Sequence, residues 1–223
     1  MRIFFIHVYR RHWEFYPEDE REEMFEESDE SQRGVLRWLL RTSARAWRAA
    51  HEAETGLLGA MRRVLDRLHS RVDPTEPMLH RIRKAQALEI TYPSGISPHY
   101  VRRRLRLLLL HKTATHRRRI IVNSLMIPVT CAMTIVPGPN VFLAWNGYRL
   151  FSHIRAWRGG QRVLTGQIPV TFHPSDELDE LLAPEERLIN PLDPTSAATI
   201  GQRFELPGLV DYLHRTGSLV TEE

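Results

Sequence analysis

Cysteine is nearly absent: the 223 residues hold one, Cys131. A lone thiol closes no intrachain disulfide and builds no multi-cysteine metal site. Its expected role is that of a buried, inert side chain. Lysine is almost as scarce. Only Lys84 and Lys112 stand among the thirty-one basic residues, and the rest are arginine. A GC-rich genome gives such a bias, and arginine's planar fork also suits phosphates and anionic headgroups. Phosphate-cradling glycine loops, the GxSxG elbow, HExxH and CxxC are all missing, so the familiar nucleotide, acyl-transfer, zinc-protease and redox sites have no foothold. No catalytic residue, cofactor or metal is expected, and the chain reads as a non-enzyme.

The most constraining absence lies in the middle. Residues 120–148 contain no Asp, Glu, Lys, Arg or His across twenty-nine positions. About twenty helical residues cross a bilayer core of about 30 Å, so the run is long enough to be membrane-embedded. Pro137, Gly138, Pro139 and Asn140 break it with the strongest turn signal in the chain. One arm covers 120–136. The other covers 141–148 and extends to about Trp157 by periodicity. Arg117, Arg118 and Arg119 precede the run, and Arg149, Arg155, Arg158 and Arg162 follow it. Arginine marks the cytoplasmic or matrix side of a membrane segment, so two basic ends imply a hairpin with both ends on one side. A buried hairpin in a soluble helical core also fits, because Asn123, Ser124, Thr130, Thr134, Asn140 and Asn146 dilute the run.

The remaining organisation follows from composition. The sequence predicts an N-terminal strand within 1–16, centred on residues 2–9, and an acidic loop over 17–34. An amphipathic helical region over 35–96 follows, with a basic helix at 35–72, a second helix near 78–90 and a loop at 92–98. The membrane-associated hairpin spans 97–165, its helix opening at Ser97–Pro98 as a cap and first turn. A proline-rich tail, 166–223, carries short helices near 176–182, 197–204 and 206–214. The expected fold class is therefore mostly α: a helical membrane-associated protein with a Pro-Gly-Pro-broken apolar hairpin and a short N-terminal strand. The N-terminus fits neither a signal peptide nor a transit peptide, since nine acidic residues fall between Glu18 and Glu30.

Candidate chemistry is sparse. His111 and His116 are five apart, which puts them on different faces of a helix. His153 stands beside the apolar run near Arg149 and Arg155. There it is either a proton relay or a satisfied interfacial residue. No carboxylate lies in the apolar run to carry ions. The arginines at 102–106 and 117–119 can contact phosphates, and membrane headgroups are a more economical partner for them than nucleic acid.

The segment PGPNVFLAWNGYRLFSHIRAWRGGQRVL, residues 137–164, resembles the signature of the mitochondrial potassium–proton exchange-related family. The matching residues are Pro137, Pro139, Asn140, Trp145, Tyr148, Arg149, Ser152, His153, Ala156 and Gly160. The first sixteen residues resemble the family's start. The resemblance implies an inner-membrane protein, or a cytoplasmic-membrane one in a bacterium, that supports exchange of potassium for protons; the arginines add an anionic membrane as partner, and the proline-broken hairpin a second copy or membrane protein packed against it. On this reading Pro137, Gly138 and Pro139 set the bend and Asn140 caps the second arm. Trp145 and Tyr148 sit at the interface, Arg149 anchors to headgroups, and Gly159 and Gly160 release the chain. A non-transporting membrane scaffold and a soluble nucleic-acid-binding protein are the alternatives.

Overall fold

A computed structural model describes residues 1–18, 73–132, 141–185 and 188–219. The expected acidic loop beyond Glu18, the basic helix at 35–72 and the bend at residues 137–140 lie outside them. The chain divides into two compact units. The first comprises Met1–Glu22, Pro74–Thr113 and Arg158–Glu223, the second Glu23–Asp73 and Ala114–Trp157.

The first unit is built on a mixed four-stranded sheet of order β2-β1-β3-β4. β1 (Arg2–Tyr9) and β2 (His12–Pro17) form an antiparallel hairpin in which Ile3 faces Pro17 and His7 faces Trp13. Arg10 makes the turn in the left-handed region, at φ 49°. β3 (Leu88–Pro93) lies parallel to β1, and β4 (Val170–Ser175) lies parallel to β3. Side chains alternate across a strand, yet residues 3–8 of β1 are all buried, so both faces of the sheet are covered.

Each face has its own packing. Phe4, Ile6 and Val8 join Tyr16, Leu178, Leu182, Ile200, Tyr212 and Leu213 in one apolar cluster. Its outer members come from three short helices, α4 (Asp176–Leu182), α5 (Pro194–Arg203) and α6 (Leu209–Arg215). On the other face Phe5 stacks on Trp13 at 4.5 Å and meets the edge of Tyr100 at 6.4 Å. Full burial of each such side chain stabilises by about 1.5–3 kcal/mol. The short helices start where their caps stand. Ser175 Oγ accepts from the Leu178 amide at 3.2 Å. Asp193 accepts from the Ser196 amide at 2.8 Å and its hydroxyl at 2.6 Å, and these bonds hold the Asp193 carboxyl below its ordinary range.

Two longer helices contribute to both units: α2 (Pro98–Ala132) and α3 (Val141–Leu164). A short helix, α1 (Glu76–Lys84), precedes β3 and carries Met78, Leu79 and Ile82 buried. Its first-turn Glu76 is buried as well, with His80 Nε2 at 3.9 Å.

The expected fold class needs correction. The first unit is α/β, with a four-stranded sheet where one short strand was expected. Among the described residues no helix is long and apolar enough to cross a membrane. Asn123, Ser124 and Thr130 lower the apolar character of α2, and Arg149, His153 and Arg155 interrupt α3. The helix expected near 78–90 ends at Lys84, and its apolar continuation, Leu88, Ile90 and Tyr92, is the buried side of β3. Strand β4 lies in what was expected to be irregular tail. The predicted start of α2 at Pro98, β1 and α4 coincide with the observed elements.

Candidate functional site

In the second unit α2 and α3 run antiparallel and meet through polar side chains. His116 of α2 and His153 of α3 bring their Nδ1 atoms to 3.0 Å, with ring centroids 5.1 Å apart. Arg149, one turn before His153, places Nη2 at 3.3 Å from His153 Nε2. All three side chains are buried. Seven residues along each helix a second tie forms: Asn146 Nδ2 donates to the Asn123 carbonyl at 3.1 Å. Seven residues are close to two helical turns, so both ties lie on the same pair of faces.

The hydrogen-bond roles follow from the chemistry of the donors. A guanidinium only donates, so His153 Nε2 accepts from Arg149. A neutral His153 then carries its proton on Nδ1 and donates it to His116 Nδ1. His116 in turn holds its own proton on Nε2. The result is a directed chain of hydrogen bonds, Arg149 to His153 to His116.

The other expected residues cluster around this chain. Trp145 lies under Arg149, its ring centre 6.0 Å from Cζ, at the outer reach of a cation–π contact. Tyr148 is half-buried and tilts against Trp145 at 5.7 Å. Ser152 and Ala156 are buried on α3. Arg155 lies over the Phe151 ring at 4.5 Å. Arg149, expected to anchor to headgroups, is instead buried with His153. Pro137, Gly138, Pro139 and Asn140 lie outside the described residues.

Gly160 belongs to the first unit, and its surroundings overturn the expectation that it and Gly159 release the chain. The helix continues to Leu164. A Cβ on Gly159 would collide with the Leu79 carbonyl oxygen, and one on Gly160 would lie 2.5 Å from Thr113 Oγ1. The glycine pair therefore lets α3 lie directly against α1 and α2. Arg162, one turn on, fastens the same contact. Its Nη1 donates to the Ile82, Arg83 and Ala85 carbonyls, the first at 3.4 Å and the last at 3.0 Å. Those carbonyls close the C-terminal end of α1, where the helix dipole favours a cation.

Reasoning along the sequence found His153 and Arg149 but left His116 aside, having compared it only with His111. The missing signal was the match of spacings. His116 and Asn123 are seven apart on α2, and Asn146 and His153 are seven apart on α3, so an antiparallel pairing that joins the histidines also sets the Asn146 side chain against the backbone carbonyl of Asn123.

No curated protein and no solved structure matches this chain. The model of the family described as mitochondrial K+-H+ exchange-related matches residues 2–165, a span that contains β1 to β3, both long helices and the whole buried His–His–Arg chain. The chain belongs to the mitochondrial K+-H+ exchange-related family, whose name ties it to potassium–proton exchange in mitochondria.

Proposed function

We propose that this protein supports potassium–proton exchange across a membrane as one component of an assembly, without being an enzyme. The observation that carries the reading is the buried His116–His153 contact with Arg149 beside it. It gives the long helices a titratable pair where they meet. Family membership supplies the process. The sequence of α2 and α3 supports an accessory role over that of a self-sufficient carrier. From Ile90 to Ser175 there is no Asp or Glu, so neither helix offers a carboxylate to a potassium ion. The histidine pair would serve the proton side of the process, and a partner would carry the metal ion.

The test is loss and restoration. Mitochondria, or cells for a bacterial homologue, are deprived of the protein and swollen in potassium acetate, where swelling reports exchange of potassium for protons. Swelling should slow on loss and recover when the intact chain returns. Unchanged swelling on loss, with the protein verified absent, would remove this reading.

A further inference from the structure

We infer that the exposed apolar stripe on the C-terminal part of α2 is a docking surface for an anionic lipid bilayer. Ile121, Val122, Leu125, Met126 and Val129 are all exposed, Leu125 at 71% and Ile121 and Val129 at 53%. Residues four apart share a helix face. The stripe therefore consists of two ridges, Ile121–Leu125–Val129 and Val122–Met126. Each ridge begins one turn after an exposed arginine, Arg117 for the first and Arg118 for the second. From Ile121 to Val129 the stripe extends ~12 Å along the helix. Contiguous exposed apolar surface of this kind marks an interaction site.

Charge decides the occupant. α2 and α3 together carry eleven arginines and one lysine and no acidic residue, against a formal net charge of +4 for the whole chain. A second copy presenting the same stripe would bring the same arginines face to face, and like charge opposes that contact. Nucleic acid would satisfy the arginines but would leave the apolar ridges in water. An anionic bilayer satisfies both. Phosphates receive Arg117 and Arg118, and the ridges enter the boundary between headgroups and acyl chains, as interfacial helices do at a depth of about 5–10 Å. This is attachment along a surface, and no crossing helix is required. The inference stands apart from the exchange reading, since lipid binding and exchange are measured separately.

The experiment is flotation of the full chain with vesicles of phosphatidylcholine alone and of phosphatidylcholine mixed with phosphatidylglycerol. The intact protein should float with the mixed vesicles and weakly with the neutral ones. Leu125→Asp and the double change Arg117→Glu, Arg118→Glu should each lower that binding about tenfold or more. Both changes lie on exposed positions, so their thermal melts should match the parent, which separates lost docking from lost folding. The inference is overturned if the intact chain floats with neither vesicle or if both variants bind as the parent does. It is equally overturned if Leu125→Asp dissolves an oligomer while vesicle binding persists, or if the chain binds duplex DNA and ignores lipid.

Discussion

The Nδ1 atoms of His116 and His153 face each other at 3.0 Å, so one of them carries a proton and the other offers a lone pair. Arg149 decides which, because it occupies His153 Nε2 as a donor. Nitrogen-15 spectra of the imidazoles should therefore show His153 protonated on Nδ1 and His116 on Nε2. The opposite tautomers would mean that Arg149 does not set the direction of the chain. Replacing His153 by Leu removes an acceptor from a buried guanidinium and should cost about 1–3 kcal/mol in denaturant unfolding.

Gly159 and Gly147 should respond to alanine in opposite ways. At Gly159 the new methyl meets the Leu79 carbonyl, and overpacking of this kind costs about 1–3 kcal/mol. At Gly147 a Cβ meets nothing within 4 Å, and alanine there should stabilise α3 by about 0.5–1 kcal/mol. Thermal melts of the two variants check the pair.

Arg162 should resist conservative exchange. Methionine in its place leaves the C-terminal carbonyls of α1 without their charged donor, a loss of about 1.5–3 kcal/mol. Lysine should restore only part of it, since a point charge cannot reproduce the guanidinium fork. Full rescue by lysine would mean that charge alone holds the contact.

Glu14 and Asp193 should make stability depend on pH with opposite signs. Burial pushes the Glu14 carboxyl above its ordinary value of 4.5, against the pull of His12, Ser218 and Lys112. Its contribution is full below that ordinary value and is lost as pH rises through the raised one. Glu14→Gln mimics the protonated form, so it should be more stable than the parent at neutral pH and lose that advantage in acid. Asp193 is depressed by its bonds to Ser196. Its contribution is full above the ordinary carboxylate value and disappears as pH falls through the depressed one, so Asp193→Asn should cost stability at neutral pH and little in strong acid. Urea unfolding across pH reads both.

Much of the first unit's framework was legible along the chain. The apolar, aromatic and β-branched run at residues 2–9 gives β1, Ser97–Pro98 opens α2, and the acidic first turn after Ser175 opens α4. β3 was not legible, because Leu79, Ile82 and Leu88 keep helical spacing into the strand. What ends the helix is the Arg162 side chain and the sheet beyond it, and both are distant in sequence. β4 hides behind Pro174, which suits an edge strand better than an inner one. The charge-free run misled in a different way. It measures the absence of ionised groups, while a crossing helix also needs apolar density, and Asn123, Ser124 and Thr130 of α2 withhold it. The His–Arg chain was half legible, as two residues on one helix, and its other half needed the antiparallel register.

The most direct measurement is potassium acetate swelling of membranes restored with His153→Asn in place of the intact chain, at matched protein amount and fold. Asparagine keeps a polar side chain at the position but cannot titrate. The account predicts that swelling stays as slow as without the protein. Restoration as full as with the intact chain would contradict the claim that the buried His116–His153 pair serves exchange.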